Sequence, residues 1–275
     1  MRLIIVLLAL WLTACSTSGL EQRPGYVVDT RHPAQGAQPR IKMVVIHYTA
    51  EDFPQSLTTL TGNQVSAHYL IPAKPPQHAG QPVVWQLVPE AALAWHAGPS
   101  FWRGASRIND TSVGIELVNA GYRRNAQGQR IFAPFSASQI AALQPLLRDI
   151  VHRYGIAPQN IVGHSDVAPQ RKQDPGPLFP WALLAQQGIG AWPDAARVRF
   201  WLDGRDPQAS VPVEEVLNAL ADYGYAVNQQ MTPEQQQKVI AAFQMHFRPS
   251  DYRGLPDAET LAIAKALVGQ YGSGD

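Results

Sequence analysis

The chain has 275 residues, 45% hydrophobic and 16% charged, with a net charge of +1. That balance gives no basic field with which to hold a polyanion, so nucleic acid is excluded as an expected partner. The one cysteine, Cys15, excludes disulfides, cysteine-ligated zinc and thiol catalysis within a single folded chain, which leaves His, Asp and Glu for any metal site.

Residues 1–14 read as an export signal: Arg2 precedes an unbroken apolar run over 3–12, too short to cross a hydrocarbon core of about 30 Å. The ending Leu12-Thr13-Ala14-Cys15 resembles the lipobox of bacterial lipoproteins, which implies that Cys15 is the lipidated, palmitate-bearing first residue of the mature chain. The protein is then anchored to a membrane rather than spanning it. Ser16 follows, and by resemblance to bacterial sorting patterns a residue other than Asp there implies the outer membrane of a Gram-negative bacterium, with the protein facing the periplasm. Residues 15–40, polar and carrying Pro24, Pro33 and Pro39, read as a tether leading into an extended arm.

A first strand is expected over 41–49, rich in Val and Ile, with His47 near its C-terminal end. Short strands follow at 67–71, carrying His68, and at 83–88, carrying Trp85; the proline-bearing stretch between them is loop. Residues 94–103, A-W-H-A-G-P-S-F-W-R, have neither helical nor strand period and gather Trp95, His96, Phe101 and Trp102 around Gly98 and Pro99. That set suits stacking on a sugar or peptide, so it reads as a binding loop. In the strand expected over 111–119, Val113, Ile115 and Leu117 alternate, which puts Glu116 on the opposite face beside Gly114 and Val118. A carboxylate out of water is costly there unless a cation or hydrogen bonds compensate.

A helix is expected over 136–154, opened by Ser136 with Gln139 as a capping box, closed by Gly155 and bent at Pro145. Ile140, Leu143, Leu147, Ile150, Val151 and Tyr154 form its apolar stripe. A strand at 160–163 then delivers His164, and a short helix follows at 180–187. Beyond a turn region at 188–194 the pattern becomes helical, with segments at 213–223, 233–246 and 257–268; Thr232 caps the second and Pro233 opens it.

Between the strand at 160–163 and the helix at 180–187 runs G-H-S-D-V-A-P-Q-R-K-Q-D-P-G-P, residues 163–177, which holds His164, Lys172 and Asp174 in a loop stiffened by Pro169, Pro175, Gly176 and Pro177. Side chains that bind metals or handle protons can converge when held on one constrained loop. We read His164 and Asp174 as zinc ligands, with His47 as the third, although 117 positions separate the two histidines and each could equally be a core residue hydrogen-bonded in the interior.

Together V-V-I-H-Y-T at His47, S-A-H-Y-L-I at His68, W-H-A-G at His96, G-I-E-L-V-N at Glu116, and G-H-S-D with R-K-Q-D-P-G-P resemble the zinc-dependent N-acetylmuramoyl-L-alanine amidases, a family related to peptidoglycan recognition proteins. The resemblance is closest to outer-membrane lipoprotein members that carry a C-terminal domain. It implies one zinc ion per chain on His47, His164 and Asp174, Glu116 as general base and Lys172 as oxyanion stabiliser. The plain alternatives are a buried salt-bridge partner for Glu116 and a solvated loop cation for Lys172. His68, His96, Trp95 and Asn119 are the candidate substrate contacts, each of the first two alternatively a stacked core ring and Asn119 a turn residue; His32, His78, His152 and His246 are left to surface or packing.

The expected fold is α/β: a mixed central sheet flanked by helices over 41–195, then a small all-α domain over 196–275 similar to helical peptidoglycan-binding domains. That last likeness departs from its pattern between Tyr225 and Thr232, where the usual glycine-bearing turn is missing. The expected reaction is hydrolysis of the bond between N-acetylmuramic acid and L-alanine, in peptidoglycan or its muropeptide fragments, by a monomer. Two rivals stand beside it: a recognition protein that binds peptidoglycan without cutting it, and a zinc hydrolase of another amide.

Overall fold

The computed structural model describes residues 19–272. The signal at 1–14 and the lipidation site Cys15 lie outside the described residues. Two units divide the chain at Pro39. The first holds a hairpin of β1 (Leu20–Arg23) and β2 (Tyr26–Asp29), paired antiparallel where an extended arm is expected. Its residues alternate too little in hydrophobicity to mark a strand in the sequence.

From Arg40 onward the chain forms one compact unit. It runs β3 (Met43–Tyr48), α1 (Phe53–Leu60), β4 (Tyr69–Ile71), the short pair β5 (Gln77–His78) and β6 (Gln81–Pro82), and β7 (Trp85–Gln86). Then come β8 (Ser112–Leu117), the hairpin β9 (Tyr122–Arg124) and β10 (Arg130–Phe132), α2 (Ala137–Tyr154), β11 (Ile161–Gly163), α3 (His164–Val167) and α4 (Trp181–Gln186). Four helices close the described chain: α5 (Ala195–Leu202), α6 (Val213–Tyr223), α7 (Pro233–Phe247) and α8 (Ala258–Tyr271).

The central sheet has five strands in the order β11-β3-β8-β4-β7, parallel except where β4 meets β7. Parallel strands are buried on both faces, and alternate residues of β3 and β8 divide between them. Val44, Ile46, Val113, Ile115 and Leu117 pack against Ile140, Leu143, Leu147 and Ile150 of α2. Ser136 caps α2 by accepting from the Gln139 N–H, and Gly155 ends it in the left-handed conformation. The expected capping box is only half made, because the Gln139 amide donates to the Ile71 and Val118 carbonyls and so stitches α2 to the sheet.

On the other face, Met43 and Val45 belong to one apolar cluster with Trp102, Ile108, Val162 and Val167, and with Val216, Leu220, Tyr223, Val239, Phe243, Leu261 and Leu267. The helical C-terminal residues therefore share their core with the sheet. A separate cluster lets α1 lie over Leu70 and Val118 through Phe53, Leu57 and Leu60. Asp52 caps α1 and Pro54 opens its first turn, but a segment made of Ser, Thr and Pro carries little helical signal of its own.

Candidate active site

The register of β3 and β8 pairs His47 with Glu116, so both side chains leave the sheet on the same face near the C-terminal ends of parallel strands. β11, next to β3, ends at Gly163 and hands over directly to α3, whose first residue is His164. The Ser165 N–H then donates to the Asp174 carbonyl at 2.8 Å, which folds the proline-stiffened loop back onto α3. Two ligand candidates thus come from the sheet's end and one from the returning loop.

Their donor atoms meet. His47 Nδ1 lies 2.9 Å from His164 Nδ1 and 3.1 Å from Asp174 Oδ2, and His164 Nδ1 lies 3.0 Å from the same carboxylate oxygen. All three residues are buried. Among the described residues they are the group of His, Asp and Glu side chains placed to hold a metal ion. Two imidazoles and a carboxylate suit a four-coordinate ion with bonds of about 2.0–2.2 Å and one position left open. Burial pushes the His47 imidazole down to about 4, reinforced by the neighbouring His164, so its ring is a neutral ligand near pH 7. Burial alone would raise Asp174, yet its interactions with His164, and then with His47, outweigh it and hold the carboxyl well below the usual carboxylate range.

These groups open into a cleft of about 350 Å³ that Glu116, Lys172, Trp95 and His96 also line. Burial pushes the Glu116 carboxyl up to about 8, with repulsion from Asp174 adding to it and Lys172 opposing. Its Oε2 is buried without a hydrogen-bond partner. A carboxyl so placed exchanges a proton near neutrality with whatever enters the cleft.

Not every expected contact is there. His68 is fully buried at 0% exposure, accepts from the Gly114 N–H on Nδ1 and reaches the Ala92 carbonyl with Nε2, so it is a core residue rather than a cleft residue. Asn119 does not line the cleft: its amide donates to the Ala133 and Pro134 carbonyls and its oxygen accepts from the Gly121 N–H, which holds the β9–β10 hairpin in place. Trp95, 60% exposed, presents its ring at the rim. His96 reaches the cleft wall, but both ring nitrogens are engaged by protein groups, His47 and Ser112.

Three participants escape the sequence patterns. Arg171 lines the cleft and hydrogen-bonds the carbonyls of Ala97 and Pro99; its neighbour Lys172 drew the attention in R-K-Q-D. Asp166, the last letter of G-H-S-D, is buried and accepts from Tyr225 at 2.5 Å and from His246 at 2.7 Å. His246 is buried and stacks between Trp181 and Phe247, the packing role expected of it, and in addition holds Asp166.

The model of the family described as N-acetylmuramoyl-L-alanine amidase matches residues 37–177. The N-acetylmuramoyl-L-alanine amidase AmiD of Escherichia coli (strain K12) is 60% identical over 269 residues, 98% of this chain and 97% of AmiD. The solved complex of E. coli AmiD with the substrate anhydro-N-acetylmuramic acid-L-Ala-D-gamma-Glu-L-Lys superposes with a TM-score of 0.90 at 60% identity, covering 94% of this chain and 100% of that one. Pseudomonas aeruginosa AmpDh3 in complex with anhydromuramic pentapeptide gives 0.80 at 40% identity, over 89% and 98% of the two chains.

Proposed function

The chain belongs to the N-acetylmuramoyl-L-alanine amidase family, and from that premise we propose how it handles its substrate. It hydrolyses the amide between the lactyl group of N-acetylmuramic acid and the L-alanine of the stem peptide, in peptidoglycan and in anhydromuropeptide fragments. The observation that carries this reading is the meeting of His47, His164 and Asp174 beside Glu116 in one cleft.

His47, His164 and Asp174 would hold one zinc ion per chain through two imidazole nitrogens and a carboxylate oxygen, the donor set of a hydrolytic zinc site. When bound, zinc supplies Lewis acidity and a nucleophile at neutral pH. The chain's own groups do the rest. Glu116, in register with His47, takes the proton of the attacking water and returns it to the departing alanine nitrogen. Lys172, on the cleft wall, lends positive charge to the carbonyl oxygen as it becomes an oxyanion. Trp95 offers an exposed ring face at the rim on which sugar or peptide can stack.

The lipobox-like ending at Cys15, followed by Ser16, supports a chain tethered to the outer membrane and facing the periplasm, where wall polymer and its fragments are within reach. Mass spectrometry of muropeptides incubated with the zinc-loaded protein tests the reaction. We expect the stem peptide to separate from the sugar, and a chelator to stop it; muropeptides left intact by zinc-loaded protein would overturn the reading. Palmitate labelling that survives Cys15→Ser would overturn the anchor.

A further inference from the structure

The two imidazoles of the cluster each present Nδ1 to its centre. Something must dictate which nitrogen carries the proton, because a ligand nitrogen has to be bare. Behind His47 the hydrogen bonds form a chain with only one consistent set of protons. Ser112 Oγ lies 2.6 Å from the Ile108 carbonyl, and two oxygens that close need a proton between them, which only the hydroxyl can provide. Having spent its one proton, Ser112 Oγ must accept from His96 Nε2, 3.1 Å away. His96 Nδ1 is then a lone pair, and His47 Nε2, at 3.0 Å, must donate to it. His47 Nδ1 is left bare, facing His164 and Asp174.

The second ring's outer nitrogen meets two protein groups: His164 Nε2 lies 3.0 Å from the Ala97 carbonyl, which can only accept, and 3.2 Å from the Arg171 guanidinium, which can only donate, so these partners do not by themselves assign its proton. Residues 96 and 97 thus each touch one ring of the cluster. Asn109 Oδ1 fixes both, accepting from the His96 N–H at 3.3 Å and the Ala97 N–H at 2.8 Å. Space for the chain is built into the sheet: a Cβ on Gly114 would lie 2.4 Å from His96 Cγ, so only glycine lets the ring sit flat on β8. Gly114 is held in turn by His68.

We propose that His96, with Ser112 behind it, is a positioning residue that fixes His47 as its Nε2–H tautomer and so raises the affinity of the His47–His164–Asp174 cluster for its metal ion. Within W-H-A-G, His96 and Ala97 on this reading support the metal ligands, while Trp95 beside them keeps the stacking face at the rim. The inference rests on the zinc ligation proposed above.

Ser112 separates it from a substrate-contact role, since it is buried and absent from the cleft lining. Zinc affinity of the full chain is measured by competition with a chromophoric chelator. Loss of a partner behind a ligand typically costs 10–100-fold in metal affinity, so we expect a weakening of roughly that size for Ser112→Ala and for Gly114→Ala, with Ser112→Thr, which keeps the hydroxyl, close to the parent. Unchanged affinity in a folded Ser112→Ala chain would overturn the proposal. Should the variants not fold, long-range 15N–1H correlations on the unsubstituted, zinc-loaded chain decide it: His96 should appear as the Nε2–H tautomer, accepting from His47 on Nδ1, and His96 carrying its proton on Nδ1 would refute the relay. Failure of the unsubstituted chain to take up one zinc ion would instead strike at the ligand assignment itself.

Discussion

His47 and Glu116 are register partners on adjacent parallel strands, and the ring of one and the carboxyl of the other leave the same face of the sheet into one cleft. Neither side chain is hydrogen-bonded to the other, so the glutamate can be altered without disturbing the cluster. Glu116→Gln preserves shape and removes the base. We expect zinc content to stay at one per chain while kcat falls by about 10²–10⁴. Metal analysis and muropeptide turnover on the same sample check both halves, and a variant that still turns over would remove Glu116 from the proton path.

Lys172 calls for a different signature. If it stabilises charge only as the carbonyl oxygen becomes an oxyanion, Lys172→Met should lower kcat and kcat/KM together by about 10²–10³, with KM little changed. A rise in KM at constant kcat would make it a substrate-binding cation instead.

The metal cluster was legible chiefly through the family resemblance, because the local patterns, a histidine at the end of a Val-Ile strand and a second with an aspartate on a proline-rich loop, left each histidine equally a core residue. What could not be read are the roles that depend on partners far away. His68 and His96 look alike as letters, yet one ring is locked between the Gly114 N–H and the Ala92 carbonyl while the other bridges His47 and Ser112. Only the missing Cβ of Gly114, invisible as a spatial fact in one dimension, makes room for the second. Asn119 sits where strand-end substrate contacts collect, but the hairpin after it consumes its amide. The helices were legible where a cap and an apolar stripe coincide, as in α2 and α7. They were missed in α1, where Pro, Ser and Thr carry little helical propensity, and in α5, whose eight residues show no buried stripe.

Asp166 joins the helical C-terminal residues to the loop that bears His164. Its carboxylate accepts from Tyr225, from His246 and from the Gly163 N–H at 2.7 Å, and Gly163 immediately precedes His164. Removing one partner leaves a buried charge less satisfied, at a cost of about 1–3 kcal/mol. Tyr225→Phe and His246→Ala should therefore each lower Tm by several degrees, the second by more because it also removes a stacked ring. Thermal melts check this; a His246→Ala chain as stable as the parent would mean that the C-terminal helices hold the loop by apolar packing alone.

Acid stability should depend on Glu90, far from the cleft chemistry. Its carboxylate accepts from Arg153 at 2.5 and 2.9 Å, from Tyr154 at 2.6 Å and from Tyr69 at 2.7 Å, tying the end of α2 to β4. Arg153 is the main cause that brings Glu90 down to about 2 from an ordinary 4.5, against the opposing effect of burial. A depressed folded-state value means that the unfolded chain binds this proton first as pH falls. The stabilisation is thus complete above pH 4.5 and is lost between 4.5 and about 2. Glu90→Gln keeps the size but cannot ionise, so the variant should melt lower than the parent at pH 7, and the gap should close as pH falls through that window. Parallel melting curves from pH 7 to 2.5 measure the gap; a difference independent of pH would assign Glu90 a packing role and leave the loss of acid stability to other carboxylates.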